Sequence, residues 1–383
     1  MSNKSTNNAT TTPTITPAPS SSSAIDNERS KTSFQFTEAI YPGVDLVMEL
    51  KQICARSRSQ FQEIDVIETV FGKTLVTDGK TQSTQIDEHM YHETLVHPPL
   101  IQAGLNNLIS SDSDGNISSD KKPKRVFIGG GGELATAREV LRHKSVEKVV
   151  MVDLDEKVVE VSKKYLPEWG GEGVASNPRL ELIIGDAHEY LLNCEDKFDV
   201  IIMDISDPIE AGPGIMLYTQ EFYQRARTLL NDNGVFVTQA GIADSLILFD
   251  VEPGSPEDFT CFAAITNTLN SVFDCVLPYS SNIPSFGSDW GFVMAYSSPN
   301  PKESKDKFVN LNAKVVDDII SSDITDIEDI KSGANGNAKK GEEILRYYDG
   351  ETHRGLFSLT KPVRLRLQKD KRIMTRDNPV FMF

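Results

Sequence analysis

Two carboxylates, Asp204 and Asp207, stand where an apolar run, FDVIIMD, gives way to Ile205-Ser206-Asp207-Pro208. Acids so placed at a strand end can hold a metal, hold an organic cation, accept a proton as a base, or cap the loop that follows. Upstream, Gly129-Gly130-Gly131-Gly132-Glu133 follows another apolar run and leads into a helical pattern. Glycines there permit a sharp turn and close approach of a ligand beside unpaired helix N–H groups. About 20 residues further on, the next run ends at Val152-Asp153, where a nucleoside-binding α/β fold places the carboxylate that accepts both ribose hydroxyls. The alternative for this pair is a structural turn and a helix-capping acid. A third run ends in Gly185-Asp186-Ala187. Asp186 can accept from an adenine amino group while the next backbone N–H donates to the ring, or it can cap the following helix. Read together, these run ends describe one cleft, and Gly212-Pro213-Gly214 beyond Asp207 suits a lid over it.

Among the histidines, His143 reads as a surface residue at a Lys/Arg-rich helix end, His188 as the start of a helix, and His97 as the neighbour of Pro98-Pro99. His92, inside Tyr91-His92-Glu93, is the functional candidate. His89 and His92 find no convincing third ligand, so no metal is expected.

For such residues to meet, a parallel sheet must deliver them to one edge. KRVFIG, KVVMVD, RLELIIG, FDVIIMD and GVFVTQ read as five strands buried on both faces, with late strands at SVFDCVLPY and WGFVMAYSS. Amphipathic helices lie between them, LATAREVLRH and DEKVVEVSKKYL being the clearest. Residues 91–383 are thus expected to form a doubly wound α/β domain. EILRYYDGETHRGLFSLTKPVRLRL is expected to pack back on it, and polar inserts fall near 110–122 and 331–340. Residues 33–90 alternate apolar and polar positions around Gly72 and Asp78-Gly79, the pattern of a small N-terminal antiparallel β-sheet domain. Residues 1–32 are a Ser/Thr/Asn/Pro-rich tail expected to be disordered. A transit peptide is the alternative, but positive charge in the first 30 residues is confined to Lys4 and Arg29.

Composition narrows the partners. A net charge of −17 over 383 residues and a pI near 4.9 argue against nucleic acid or an anionic membrane surface and suit a cationic ligand. Cys54, Cys194, Cys261 and Cys275 are far apart and read as reduced thiols, and no apolar run approaches the length of a membrane span. A cytoplasmic protein is expected.

At these residues the chain resembles the spermidine/spermine synthase family of polyamine aminopropyltransferases. The resemblance is carried by Gln82-x-x-x-x-Asp87-Glu88-x-x-Tyr91-His92-Glu93, then GGGE, VDLDEKVVEVSKKYLP, GDA and DISDP, over most of residues 55–297. It implies a Rossmann-like domain of the class I S-adenosylmethionine-dependent methyltransferase type behind an N-terminal β-sheet domain. It also implies decarboxylated S-adenosylmethionine as co-substrate, no tightly bound cofactor, 5′-methylthioadenosine as by-product, and a homodimer or homotetramer. Carried over, Gln62, Tyr91 and His92 would approach the donor's aminopropyl arm, with Gly130 and Gly131 in the turn beside it. Asp153 would hold the ribose, and Asp186 and Ala187 the adenine. Asp204 would take the proton from the attacking amine, Asp207 would anchor that amine, Gln239 would line its channel, and Trp290 would form an aromatic wall.

Two departures point within the family. Glu133 replaces the aspartate of the spermidine-synthase pattern, and Phe286 replaces its tyrosine. With Thr238-Gln239-Ala240-Gly241 and Asp289-Trp290-Gly291, both resemble the thermospermine synthase branch, whereas Leu134-Ala135 departs from the Gly-Ser usual there. The competing enzyme class is an S-adenosylmethionine-dependent methyltransferase, which leaves DISDP and the Gln82–Glu93 stretch unexplained. The competing non-enzyme is a catalytically silent polyamine-binding protein, against which intact Asp204, Asp207 and Tyr91 argue.

Overall fold

The computed structural model describes residues 34–109, 122–210, 212, 214–244, 251–326 and 344–382. The expected N-terminal tail, residues 110–121 and 331–340 of the polar inserts, and Pro213 of the expected lid lie outside them. Contacts divide the chain after Ile86, against the 90/91 junction expected from the sequence, because the first helix of the second unit already begins at Glu88.

In the first unit, β1 (Phe34–Tyr41) pairs antiparallel with β2 (Val44–Leu50). A four-stranded antiparallel meander follows, made of β3 (Gln52–Arg58), β4 (Glu63–Thr69), β5 (Gly72–Thr77) and β6 (Lys80–Thr84). Alternation sends Ile67 and Val76 inward with Phe36 and Met48. Asp78 and Gly79 both take positive φ, the conformation that matches a two-residue hairpin to the strands' twist.

The second unit opens with α1 (Glu88–Ile109) and continues β7 (Arg125–Gly130), α2 (Ala135–Arg142), β8 (Lys148–Asp153), α3 (Glu156–Tyr165), α4 (Gly171–Ala175) and β9 (Leu180–Ile184). Then come α5 (Ala187–Asn193), β10 (Phe198–Asp204), α6 (Gln220–Leu229), β11 (Leu230–Ile242), α7 (Phe262–Asn270), β12 (Cys275–Ile283) and β13 (Ser288–Tyr296). Among the described residues four further helices follow: α8 (Pro301–Val309), α9 (Ala313–Asp323), α10 (Gly350–Leu356) and α11 (Lys361–Lys369). The sheet runs β12-β13-β11-β10-β7-β8-β9, with β13 antiparallel to both neighbours and the β11-to-β9 pairs parallel. This is the Rossmann-like, methyltransferase-type order. It makes a topological switch point between β7 and β10, where a crevice opens beyond the strands' C-terminal ends. Alternate residues feed opposite cores: Val126, Ile128, Val200 and Ile202 face α1 and α2, while Phe127, Ile201 and Met203 face α5 and α6.

Two expectations need correction. β9 is not buried on both faces; it is an edge strand, with Glu181 and Ile184 exposed. And α2 is amphipathic in sequence but has no solvated face over Ala135–Leu141: every one of those residues is buried, including Arg138 and Glu139, because α1 packs over it.

Helix α1 carries Pro98 and Pro99 in its interior. Pro98 has no N–H for the carbonyl of Thr94, and the Tyr279 hydroxyl donates to that carbonyl instead at 3.2 Å. One turn earlier, Glu93 accepts the backbone N–H groups of Arg346, Tyr347 and Tyr348 at 2.9, 2.9 and 2.7 Å. This carboxylate ties the backbone of residues 346–348 to α1. Glu93→Ala strands three donors, and the expected cost is about 3 kcal/mol. A urea titration checks it; a loss under about 0.5 kcal/mol would show that the segment is anchored elsewhere.

Candidate active site

Four parallel strands end around the switch point, and the glycine turn ties them together. Gly130 and Gly131 adopt φ of 81° and 77°. A methyl group on Gly130 would fall 2.0 Å from the carbonyl oxygen of Asp204. That carbonyl accepts the Gly131 N–H at 3.0 Å, while the Gly132 N–H donates to Asp153 Oδ2 at 2.8 Å. The turn therefore fixes the ends of β10 and β8 at once. Leu134, fully buried, also takes a left-handed φ of 78°, a strained state for a branched side chain that its place in the core maintains.

Asp204 is held on both oxygens. The Tyr91 hydroxyl donates to Oδ1 at 2.7 Å and the Thr136 hydroxyl to Oδ2 at 2.5 Å. Burial, and then the negative charge of Asp204, push the Tyr91 phenol well above its usual pKa, so it stays a neutral donor. Asp207 Oδ1 accepts from the Gln239 amide at 3.0 Å. The same amide nitrogen contacts the Ile205 carbonyl and the Tyr218 hydroxyl, and Gln239 Oε1 accepts from the Gly241 N–H and the Trp290 indole. Gln239 is buried and its amide is spent on protein groups, so it positions Asp207 and Trp290. The Phe286 ring meets Trp290 edge-on at 4.8 Å and Tyr91 at 6.0 Å. Its turn is set by Asp87, which accepts from the backbone and hydroxyl of Ser285.

Behind this cleft lies a chain of buried charges. His92, with no exposure, presents Nε2 to Glu133 at 2.6 Å and Nδ1 to Glu88 at 2.9 Å. Burial alone would lower its pKa, but hydrogen bonds to Glu133 and Glu88 and their charges prevail and raise it to about 10. Glu88 meets the opposite balance: burial would raise it, and Arg138 and then His92 hold it near 2. Arg138 donates to Glu88 at 2.7 Å and to Glu139 at 2.8 Å. His143, expected at the surface, is instead buried, bonded to Asp323 at 2.9 Å and to His97 at 3.0 Å, because α9 packs across it. Asp153 is raised to about 6, by burial first, against the stabilising N–H groups of Asp155 and Gly132.

The expected residues of the second unit thus assemble: Gly130, Gly131, Glu133 and Asp153 around the turn, and Tyr91, Asp204, Asp207, Gln239, Phe286 and Trp290 beside it. Asp186 caps α5 through the His188 N–H at 2.7 Å, with Ala187 at the helix start. Gln62 belongs to the first unit, in the turn between β3 and β4. His92 Nε2 faces the Glu133 carboxylate and Nδ1 meets the Glu88 backbone carbonyl and carboxylate, and among the described residues no group of three acids, histidines or cysteines is arranged to hold a metal. No helix of the described residues is long and apolar enough to cross a membrane. The sequence did not single out Thr136, Arg138 or Tyr218, whose neighbours in space are distant in the chain. Asp87 and Glu88 stood in the quoted stretch, but without roles.

Set against known proteins, residues 88–306 match the spermine/spermidine synthase domain. Polyamine aminopropyltransferase 2 of Hyperthermus butylicus is 40% identical over 341 residues, covering 89% of this chain and 94% of that protein. The polyamine aminopropyltransferase of Aeropyrum pernix is 37% identical over 350 residues, covering 91% and 95%. A crystal structure of spermidine synthase in complex with the transition-state analogue AdoDATO aligns with a TM-score of 0.67 at 27% identity, over 87% of this chain and 94% of that one. The spermidine synthase of Thermotoga maritima aligns with a TM-score of 0.64 at 26% identity, over 87% and 94%. The chain belongs to the spermine/spermidine synthase family.

Proposed function

We propose that this protein transfers the aminopropyl group of decarboxylated S-adenosylmethionine to spermidine, giving thermospermine and 5′-methylthioadenosine. The observation that carries the transfer is Asp204, clamped by Tyr91 at 2.7 Å three residues before Asp207 and beside a nucleoside-type glycine turn. The names of the relatives support the same chemistry. The choice of spermidine as acceptor rests on Glu133 and Phe286. A homodimer or homotetramer and a cytoplasmic location accompany the proposal as the family would have them.

The donor is a sulfonium, so the leaving sulfur takes the C–S bonding pair and departs as a neutral thioether without an acid. The amine is the obstacle. With a pKa near that of lysine, about 10.4, it arrives protonated and must lose a proton to attack. In the proposal Asp153 accepts the ribose hydroxyls, Asp186 and Ala187 meet the adenine, and Glu133 engages the aminopropyl arm, facing its ammonium with His92 behind. Asp207 holds the acceptor amine between Phe286 and Trp290. Asp204 takes one amine proton as the new N–C bond forms, with Tyr91 keeping the carboxylate aligned and positioning supplying much of the acceleration.

Incubation with decarboxylated S-adenosylmethionine and putrescine, spermidine or norspermidine, followed by chromatographic separation of spermine from thermospermine, tests the assignment. Thermospermine from spermidine is expected; spermine, or turnover of putrescine alone, would overturn the choice of acceptor. Asp204→Asn should lower kcat by about 10²- to 10⁴-fold while methylthioadenosine binds as before, and a variant retaining most of its turnover would remove Asp204 from the reaction. Asp153 binds hydroxyls as a carboxylate, so methylthioadenosine affinity should be constant well above pH 6 and fall as the pH drops through about 6, by up to about tenfold per unit. Calorimetry between pH 5 and 8 reads this; an affinity independent of pH would dismiss Asp153 as the ribose acceptor.

A further inference from the structure

We propose that Arg138 and Glu88, which do not reach the cleft, act through His92 as positioning residues for Glu133 and so set the affinity for the donor's ammonium group. The inference rests on the reading of Glu133 given above and extends it inward by three residues. The path is continuous: Glu133 to His92 Nε2 at 2.6 Å, His92 Nδ1 to Glu88 at 2.9 Å, Glu88 to Arg138 at 2.7 Å. Arg138 is itself fixed, by Glu139 at 2.8 Å and by the carbonyl of Glu168 at 3.2 Å.

Local structure makes the path rigid. Glu88 and His92 are four residues apart on α1, hence on one face of one helix turn. Arg138 comes from α2, which starts immediately after the glycine turn that carries Glu133. All four side chains are buried, His92 completely, so each charge keeps its partner or leaves an unpaired ion in the interior.

The chemistry follows from the two ring nitrogens. Because Nε2 faces the Glu133 carboxylate and Nδ1 lies 2.6 Å from the Glu88 backbone carbonyl and 2.9 Å from its carboxylate, all acceptors only, the imidazole carries both protons and is a cation. Its charge is shared between Glu133 and Glu88. The part directed at Glu133 competes with any ammonium that Glu133 binds, and the N–H also fixes which way the Glu133 carboxylate faces. Glu88 draws away the other part, and Arg138 keeps Glu88 ionised and in place. Removing Glu88 therefore turns the whole cation onto Glu133 and weakens its hold on a substrate ammonium. Removing Arg138 lets Glu88, now held without the guanidinium, pull His92 away from Glu133 and releases that carboxylate from its orientation.

Methylthioadenosine separates this role from a purely structural one, because it has the nucleoside and thioether of the donor but no ammonium. Glu88→Gln is expected to raise the KM for decarboxylated S-adenosylmethionine by about tenfold, the worth of one charge-assisted hydrogen bond. The same change should alter kcat and the dissociation constant of methylthioadenosine by less than about threefold. Arg138→Met leaves Glu88 with His92 as its remaining counter-charge and can cost the fold, so the double variant Glu88→Gln/Arg138→Met, which leaves neither charge behind, is measured beside it. A raised donor KM in the double variant, with thermal stability and methylthioadenosine binding kept, supports the proposal. A donor KM unchanged in both Glu88 variants overturns it, as does a methylthioadenosine affinity that falls in step with the donor KM. Glu133→Gln locates the fault. If that variant alone raises the donor KM, the relay is wrong; if it leaves the donor KM unchanged, the ammonium does not sit at Glu133 and the relay falls with that assignment.

Discussion

Gly130 approaches the end of β10 so closely that no side chain fits between them; a Cβ there would lie 2.0 Å from the Asp204 carbonyl oxygen. The rest of the site follows from this approach. With β7 and β10 in register up to Gly130 and Asp204, the next two backbone N–H groups reach the Asp204 carbonyl and the Asp153 carboxylate, and α2 starts where Thr136 meets Asp204 and Arg138 meets Glu88. A wider turn would separate Asp153 from Asp204. The left-handed Leu134 shows that the chain accepts strain to keep the turn tight.

Helix α1 connects that turn to the rest of the unit. Its successive residues point about 100° apart, and Tyr91, His92 and Glu93 use this to act in three directions: Tyr91 on Asp204, His92 on Glu133, Glu93 on the backbone of residues 346–348. One tripeptide thus holds the Asp204 carboxylate, a charged network and the returning C-terminal segment. The interior prolines of α1 persist because tertiary contacts replace what they remove, as the Tyr279 hydroxyl does at Thr94.

Charge in this unit is organised by burial. The net charge of −17 belongs to the whole chain, whereas the network behind the cleft alternates in sign from Glu133 through His92, Glu88 and Arg138 to Glu139. Such an arrangement contributes little net stability compared with apolar packing, but breaking one link leaves an uncompensated ion. Its worth lies in fixing side chains behind the cleft.

The sequence by itself determined the parallel strands, because period and length separate them from helices, and it located Asp153, Asp186, Asp204 and Asp207 at their ends, because a strand end is a local property. It also carried the family, since the motifs sit in short contiguous stretches. The partners of those residues were decided only by the tertiary structure. Thr136 and Asp204 are 68 positions apart, and Arg138 and Glu88 are 50 apart, so no local pattern joins them. In α2 the pattern even misleads, since Arg138 and Glu139 read as a solvated face until α1 covers them and the ion pairs become the interior of the site. His143 follows the same logic: basic neighbours suggest a surface, and only the arrival of α9, 180 positions later, supplies Asp323 as its partner. What composition and spacing cannot express is which buried charge meets which, because that depends on elements brought together by the sheet.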